Sequence, residues 1–397
     1  MSTVPVLPLH MRRDGFGPAA ELSAGRDAEG VIRIDTMFGA EAWLVTRFED
    51  VRTVLSHPEL YSNALVPPFR PSSASRAGEE EAAEIRAGNL IGSDPPEHTR
   101  LRRMLTPEFT VRRMRRLEPR IREIVDEHLD AMEKSGPPAD LVTDFALPVP
   151  SLVICELLGV PYSDRAGFQE TSRRMLDVSL PPEERAAADV QARRYIAELT
   201  AAMHDDPGED LLGMLIREHG DDLTTAELAG IGSLLLIAGH ETTSNMLALG
   251  TLALMEHPGQ LALLRDEPDR MEAAIEELLR WLSIVHTGMF KVTTTEVRLG
   301  GRTIGPGELV ICSLPAANRD PALVPDPEDL DLARGAIGHL AFGHGVHHCL
   351  GAPLARMEMR IAFPALLRRF PGLRLAGDPV YRSFSAVHGL STMPVAW

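Results

Sequence analysis

One cysteine stands in a setting that suits a metal-bound thiolate. Cys349 comes after Gly343 and Gly345 and before Gly351, and glycines this dense let a backbone turn tightly and approach a ligand closely. The amphipathic pattern that follows predicts a helix beginning near Leu350. The partial positive charge at a helix N-terminus favours a thiolate over a thiol. A thiolate held in a tight apolar loop is how a protein offers one axial ligand to haem iron.

Two other uses of Cys349 stay open on this loop alone. A lone cysteine is usually a buried structural thiol. Cysteine and histidine are also common zinc ligands, and four histidines lie nearby in sequence: His339, His344, His347 and His348. Zinc is the weaker alternative, because the loop offers no second knuckle that contains a cysteine.

The longest apolar helix is delimited by its sequence. Thr224 and Glu227 form a capping box, and the helix that they begin is expected to end near Glu256 because His257 precedes a proline. The most apolar part of the chain, Ile231–Gly239, is too short to span a membrane.

An acid and two alcohols follow Gly239 in the middle of this helix: Glu241, Thr242 and Thr243. Gly239 removes bulk where a ligand could approach the helix. A threonine hydroxyl can bond the carbonyl one turn earlier and open the helix locally. The alternative is an ordinary helix whose threonines are satisfied internally.

Two pairs of charged residues are each expected on one helix face. His98 and Arg102 are four residues apart, and paired cationic donors on one face suit a carboxylate. Glu277 and Arg280 are three residues apart and can form an ion pair. Many helices contain such a pair, and a basic face is often only solvated surface, so neither motif alone identifies a function.

Composition and charge exclude several classes of protein. Lys+Arg total 40 and Asp+Glu total 57, which gives a net charge of −17 over 397 residues, and an acidic chain is a poor nucleic-acid binder. The three cysteines are far apart, which predicts a reducing compartment and no disulfide framework. The N-terminal segment has prolines and no long apolar run, so we expect neither a signal peptide nor a membrane anchor.

The remaining patterns predict a mainly helical chain with a smaller β region. Branched and aromatic residues predict strands, the first two of which form a hairpin, at 31–37, 41–47, 293–299 and 308–313. Periodicity predicts helices at 50–56, 117–134, 150–158, 164–176, 183–204, 210–218 and 271–282. A long irregular segment at 61–89 has the character of a lid or of a solvated loop.

These motifs together resemble those of cytochrome P450s. The family's haem-ligand loop has the pattern F-G-x-G-x-H-x-C-x-G, and its fixed positions are filled here by Phe342, Gly343, Gly345, His347, Cys349 and Gly351. The family's oxygen-binding groove has the pattern A-G-x-[DE]-T-T, filled by Ala238, Gly239, Glu241, Thr242 and Thr243. The segment around His98 and Arg102 and the E-x-x-R of Glu277 match as well, in the expected order.

The resemblance covers nearly the whole chain and implies the P450 fold. That fold is mainly α with a smaller β region, and its haem is buried between the long central helix and the helix that follows the cysteine loop. Because no linker or internal repeat divides the chain, we expect one domain over 1–397. Its β-rich parts are expected at 30–60, 290–315 and 380–397.

The resemblance also assigns roles around a haem b (iron protoporphyrin IX). Cys349 would be the axial ligand of the iron. The propionates would be held by His98, Arg102, Lys291 and His347. Lys291 stands where the family usually has arginine, and lysine keeps the charge but loses the bidentate fork. Arg334 is expected to join Glu277 and Arg280 in a structural cluster on the proximal side of the haem.

The activity implied is that of a soluble, cytoplasmic, actinomycete-type monooxygenase. It would hydroxylate an unactivated C–H bond of a bulky apolar small molecule, a secondary metabolite or a xenobiotic, with O2 as co-substrate. Oxygen would bind over Ala238 and Gly239, and Thr242 with Glu241 would deliver protons. The alternatives are a peroxide-driven peroxygenase and a non-enzymatic haem-thiolate sensor or ligand carrier, and the Glu241–Thr242 pair argues against both.

Redox partners and a substrate pocket complete these expectations. Electrons from NAD(P)H would reach a monomeric enzyme through ferredoxin reductase and ferredoxin. The ferredoxin would dock on an arginine island (Arg112, Arg113, Arg115 and Arg116), with Arg103 and Arg356 beside it. The apolar pocket residues are expected to be Val66, Ile237, Val285, Met289 and Val387. Polar contacts to the substrate are expected from His286 and His388. Most ligand pockets are mainly apolar with a few polar groups, so this composition does not identify the substrate.

Overall fold

The computed structural model describes residues 7–36, 39–66, 86–335 and 338–397. Within them the chain forms two compact units. The first consists of the described residues within Met1–Phe69, Leu249–Cys349 and Ala386–His388. The second consists of Arg70–Ala248, Leu350–Ser385 and Gly389–Trp397.

Helices are the main elements of the described chain. In order they are α1 (Ala20–Ala28), α2 (Phe48–Ser56), α3 (Glu97–Leu105), α4 (Val111–Met114), α5 (Glu118–Ser135), α6 (Pro148–Leu158), α7 (Arg165–Leu176), α8 (Pro182–Ala202), α9 (Leu211–His219), α10 (Thr225–Glu256), α11 (Pro258–Asp266), α12 (Met271–Leu282), α13 (Leu314–Ala317) and α14 (Ala352–Arg369).

The strands are short. In order they are β1 (Arg13–Asp14), β2 (Gly17–Pro18), β3 (Val31–Asp35), β4 (Glu41–Val45), β5 (Tyr61–Ser62), β6 (Ala139–Asp140), β7 (Met289–Thr293), β8 (Val297–Leu299), β9 (Arg302–Ile304), β10 (Leu309–Cys312), β11 (Arg374–Leu375), β12 (Val380–Tyr381), β13 (Leu390–Thr392) and β14 (Pro394–Ala396). The prediction of a mainly helical chain with a smaller β region is confirmed.

A five-stranded sheet organises the first unit, with the strand order β3-β4-β10-β7-β5. The predicted hairpin is confirmed, since β3 and β4 pair antiparallel with Val31 opposite Val45. β10 then lies parallel to β4 and antiparallel to β7. Branched side chains from these strands pack with the apolar face of α2, as expected for a half-buried sheet.

The prediction of a single strand at 293–299 is wrong. β7 ends at Thr293, and a separate hairpin of β8 and β9 begins at Val297. Thr294 donates its backbone N–H to Leu60 O at 3.0 Å and its hydroxyl to Glu59 O at 2.7 Å. These two bonds turn the chain out of the sheet, and a tertiary contact of this kind leaves no periodic signal in the sequence.

Helix packing dominates the second unit. The apolar face of α5 packs against α6 and α14, and α7 packs along α8. The capping box before α10 is confirmed in both directions: Thr224 N donates to Glu227 Oε2 at 2.8 Å, and Glu227 N donates to Thr224 Oγ1 at 3.1 Å. α10 then continues without a break to Glu256, as predicted.

The predicted helix bounds are close to the observed ones but differ at caps and prolines. α6 begins two residues before the predicted start because Pro148 occupies its first position, which suits proline. The helix after the cysteine loop begins at Ala352, two residues after Leu350, with Gly351 as its N-cap. Cys349 therefore belongs to the loop and lies outside the first turn of α14.

Candidate active site

Cys349 closes a tight loop of the first unit. A short 3-10 helix, Gly345–His347, precedes it, and the backbone N–H of Cys349 donates to Phe342 O at 2.8 Å. Gly343 and Gly345 have φ values of 69° and 68°, a left-handed conformation that favours glycine. A Cβ on Gly345 would also collide with the carbonyl group of Leu55. The loop geometry therefore requires glycine at this position.

The three cysteines differ sharply in their surroundings. Cys155 and Cys312 are buried, and burial raises the pKa of each thiol to about 12. Cys349 is exposed. An accessible sulfur at the end of a glycine-shaped loop is the donor that a haem iron would need, whereas the other two thiols are chemically inert core residues.

The middle of α10 has an accessible stripe of residues one turn apart, flanked by three positions that are also partly exposed: Leu235, Ile237 and Gly239. Ala238 is exposed and Thr242 is partly exposed, and they are one turn apart; Leu234, one turn earlier, is also partly exposed. The Thr242 hydroxyl donates to Ala238 O at 2.9 Å. Because its proton is used in that bond, the hydroxyl oxygen faces the stripe as an acceptor.

Two residues that were grouped with Thr242 face other parts of the second unit. A Cβ on Gly239 would lie 2.6 Å from Ile154 Cδ1, so this glycine makes room for α6. The Glu241 carboxylate is buried, and its Oε2 atom accepts from Arg382 NH1 at 2.6 Å. Gly239 is partly exposed beside the accessible stripe, whereas Glu241 is buried.

The candidate propionate ligands are largely buried basic side chains. His98 lies buried on α3, and Arg102 is partly buried one turn later on the same helix. His347 is partly buried in the cysteine loop. Lys291 is 1% exposed in β7, and its ammonium group donates to Asn63 Oδ1. The chain has only two lysines. One of them, Lys291, occupies this buried position, and arginine supplies almost every cationic side chain at the surface.

The predicted structural cluster is assembled in the first unit. Glu277 and Arg280 are fully buried and joined by two bonds of 2.8 Å, Arg280 Nε to Oε2 and Arg280 NH2 to Oε1. Arg334 Nε donates to Glu277 Oε1 at 3.3 Å. Arg280 NH1 also donates to the carbonyl oxygens of Asn318 and Pro327. The cluster ties α12 to the segment that leads into the cysteine loop.

The predicted pocket residues fall into both units. In the first unit, Val285 and Val387 face each other across an isolated bridge, Met289 is partly buried and Val66 is fully buried. Ile237, in the second unit, is partly buried on α10. Residues 67–85 of the predicted lid lie outside the described residues.

The two histidines predicted as polar contacts form a buried pair. The rings of His286 and His388 are 5.7 Å apart. Arg13 Nε lies 3.4 Å from His286 Nδ1, and His388 Nε2 lies 3.2 Å from Gly15 O. Burial, with the charge of Arg13 and the neighbouring His286, lowers the pKa of His388 to about 2. Both rings are therefore tied into the core of the first unit.

Sequence reasoning missed the partners of two predicted site residues. Arg382 is separated from Glu241 by 141 positions and Asn63 from Lys291 by 228. Neither Arg382 nor Asn63 belongs to a sequence motif. The only available signal was that Glu241 and Lys291 carry charges in a site predicted to be buried, and a buried charge needs a partner.

Two further findings bear on the chemistry available to the chain. Among the described residues, no group of three His, Cys, Asp or Glu side chains is arranged to hold a metal ion, so the zinc alternative has no assembled ligand set there. In the same part of the chain, no helix is both long and apolar enough to cross a membrane.

Comparison with known proteins gives a consistent family assignment. The family model for cytochrome P450 matches residues 41–179 and 184–380. The chain is 51% identical over 393 residues to cytochrome P450 FAS1 of Rhodococcoides fascians, covering 98% of both chains. It is 44% identical over 390 residues to pentalenic acid synthase of Streptomyces avermitilis, covering 96% of this chain and 95% of the other. The crystal structure of CYP105P1 in complex with filipin I matches with a TM-score of 0.90 at 39% identity, covering 100% and 99% of the two chains. The chain belongs to the cytochrome P450 family.

Proposed function

We propose that this haem-dependent oxidoreductase is a ferredoxin-dependent monooxygenase that hydroxylates a C–H bond of a bulky apolar small molecule. The exposed Cys349 thiol, in a loop whose glycines hold it in place, is the observation that carries the proposal. The overall reaction consumes the substrate C–H bond, O2, two electrons and two protons, and yields an alcohol and water. Relatives that form an acid or bind filipin I are consistent with an organic substrate of this size class.

The residues present fit a haem. Cys349 Sγ would hold the iron, and the buried or partly buried basic side chains of His98, Arg102, Lys291 and His347 would hold the propionates. Lys291 would bind as a point charge positioned by Asn63. When bound, the haem supplies the activation of dioxygen, which amino-acid side chains do not provide.

The protein's own task is to position substrate and protons. The Thr242 hydroxyl, which is partly exposed and donates to Ala238 O, would accept a hydrogen bond from a proton-donating water. Glu241 would take protons from solvent and pass them toward Thr242. The substrate would be held by Ile237, Val285, Met289 and Val387, with Val66 behind them.

Electron delivery is proposed at the arginine island of the second unit. Arg112, Arg115 and Arg116 are exposed, while Arg113 pairs with Glu108 at 2.7 Å. In a protein of net charge −17 this local positive surface would steer an acidic ferredoxin. NAD(P)H would act only through the ferredoxin reductase, and the enzyme would work as a cytoplasmic monomer.

The reduced, CO-bound absorption spectrum tests the central assignment. We expect the red-shifted Soret band of thiolate-ligated haem for the wild type and for Cys155→Ala, and its loss in Cys349→His. If Cys349→His kept that band, the assignment of the ligand would be wrong. A wild-type protein that binds no haem, or shows a histidine-type CO spectrum, would overturn the proposed function as a whole.

A further inference from the structure

A buried asparagine connects the end of α12 to the start of the cysteine loop. Asn318 is the C-cap of α13 and is fully buried. Its Oδ1 atom accepts from the backbone N–H of Leu340 at 2.7 Å. Its Nδ2 atom donates to Ser283 Oγ, also at 2.7 Å. The Asn318 side chain therefore turns its acceptor toward the loop and a donor toward the C-cap of α12.

The orientation of the Asn318 amide is fixed by the chemistry of its neighbours. The Ser283 hydroxyl donates to Arg280 O at 2.8 Å, so its oxygen is left as an acceptor and must face Nδ2. The backbone N–H of Leu340 can only donate, so it must face Oδ1. A side-chain amide offers both functions at this spacing, whereas a carboxylate only accepts and an apolar side chain does neither.

A histidine fixes the same part of the loop from the other side. The side chain of His339 is 3% exposed, and its Nδ1 atom accepts from the backbone N–H of Ala341 at 3.2 Å. The proton of the ring therefore lies on Nε2, which donates to Glu276 Oε2 on α12 at 3.1 Å. The ring thus joins the backbone of the loop to α12, and both of its nitrogens are in use.

These contacts begin a short path of hydrogen bonds that ends at Cys349. Leu340 O accepts from Gly343 N at 2.8 Å, which closes a turn over 340–343. Phe342 lies inside that turn, and its carbonyl oxygen accepts from Cys349 N at 2.8 Å. Leu340 is therefore held at both its N–H and its C=O. The position of the turn in turn sets the position of the carbonyl group that holds the backbone of Cys349.

We propose that Asn318 and His339 are positioning residues that clamp the turn 340–343 to α12 and so keep Cys349 in place as the iron ligand. The inference rests on the proposed function, in which Cys349 Sγ holds the haem iron. It gives a use to a fully buried amide outside the cysteine loop. It also accounts for His339, which the zinc alternative counted among the nearby ligands.

The persistence of the thiolate–CO spectrum in the haem-loaded protein tests this clamp. Asn318→Leu leaves the backbone N–H of Leu340 buried without its acceptor. An unsatisfied buried donor should raise the population of the opened turn by about tenfold or more. We therefore expect the reduced, CO-bound form of this variant to lose its thiolate Soret band about tenfold faster than the wild type does.

Two further variants separate positioning from general stability. Asn318→Asp keeps an acceptor for Leu340 N, and its charge is added beside two arginines that share one carboxylate, so its thiolate band should persist within about twofold of the wild type. Thr46→Val removes a different buried bond of the first unit, from the Thr46 hydroxyl to Gly30 O at 2.9 Å. It should unfold more readily in urea, yet keep the thiolate band as long as the wild type does.

Residue-resolved hydrogen exchange gives a readout that needs neither CO nor turnover. The Leu340 amide should exchange about tenfold faster in Asn318→Leu than in the wild type, and at the wild-type rate in Thr46→Val. His339→Phe keeps a ring of similar size without its nitrogens. This variant should speed exchange of the Ala341 amide and shorten the life of the thiolate band, and it tests the clamp even where Asn318→Leu fails to fold.

The outcomes separate this inference from the proposed function. A wild-type protein without the thiolate band would overturn the proposed function, and the clamp would have no ligand to position. If the wild type showed the band and neither Asn318→Leu nor His339→Phe shortened its life, the clamp would be wrong. It would be wrong as well if Thr46→Val shortened the life of the band as much as these two variants do.

Discussion

Arg334 Nε lies 3.3 Å from Oε1 of Glu277, a carboxylate from which it is 57 positions distant in the sequence. The same oxygen accepts from the backbone N–H of Asp331 at 3.1 Å, and Arg280 binds both carboxylate oxygens. Glu277 is thus the one anion shared by two arginines and a backbone donor. The loss of its charge would leave those cations buried without compensation.

We predict that Glu277→Gln lowers the free energy of unfolding by about 3–5 kcal/mol, the usual cost of breaking a buried ion pair from one side. Urea denaturation measures the change. Glu118→Gln is the control, because Glu118 and Arg122 form an exposed pair on α5 whose loss should cost less than about 1 kcal/mol. Equal effects of the two variants would show that the buried cluster contributes no more than a surface pair.

We predict that Thr242→Ala uncouples the consumption of NAD(P)H from product formation. The hydroxyl on the accessible stripe would be lost, and general acid–base groups of this kind contribute about a hundredfold or more. Product formed per NAD(P)H should fall by about tenfold or more, with hydrogen peroxide accounting for the difference. Thr243→Ala, at the buried neighbouring position, should stay coupled. Unchanged coupling in Thr242→Ala would remove this residue from the relay.

We predict that reversing the charge of Arg115 and Arg116 weakens the use of ferredoxin. The variant with both residues replaced by Glu should raise the KM for ferredoxin by about tenfold at low salt, because electrostatic steering is lost. Its kcat should remain within about twofold. Arg122→Glu, on the exposed face of α5, is the control for a change in net charge. A KM that is equally raised in both variants would mean that the island is not the docking surface.

We predict that the free energy of unfolding falls as the pH drops below about 6.5. Burial lowers the pKa of His10 to about 4 and that of His388 to about 2. The unfolded chain therefore binds more protons than the folded chain below pH 6.5, and stability is lost as the pH falls through that window.

The contribution of His388 can be isolated by comparing its variant with the wild type. Between pH 6 and pH 4, His388→Asn should reduce the slope of unfolding free energy against pH by up to about 1.4 kcal/mol per unit. If the slope were the same in His388→Asn and in the wild type, the His388 ring would bind a proton as readily in the folded protein as in the unfolded chain.

Glu358 should show the opposite pH dependence. Burial raises the pKa of this carboxyl well above 4.5, and among the described residues its Oε2 has no hydrogen-bond partner. Unfolding then releases a proton, so stability falls as the pH rises from 4.5 through the raised pKa. Glu358→Met should be more stable than the wild type by about 1–3 kcal/mol at pH 8, with a smaller gain at pH 5.

Chemical denaturation at the two pH values checks this expectation, with Glu127→Met at an exposed position of α5 as the control. If Glu358→Met were less stable than the wild type by the same amount at pH 8 and at pH 5, the Glu358 carboxylate would have a partner that stabilises its charge, and the prediction would be wrong.

Whether a feature of this structure could be predicted from the sequence depends on how far apart in the sequence the contacting residues are. Helix periodicity and the Thr224–Glu227 capping box are local, and both are confirmed in the structure. The end of β7 at Thr293 depends on hydrogen bonds to Glu59 and Leu60, so the predicted strand ran too far. Family patterns placed Arg334 near Glu277, but no pattern pointed to Arg382, because its partner is 141 positions away.

The scarcity of lysine has a practical consequence for chemical labelling. Lys134 is exposed at the end of α5, and Lys291 is buried in β7. Amine-reactive reagents should therefore modify lysine side chains of the folded protein only at Lys134, and a fluorophore or a surface tether attached there would have a defined position. Cross-linking that maps a redox partner on this protein should instead use reagents directed at carboxylates or arginines.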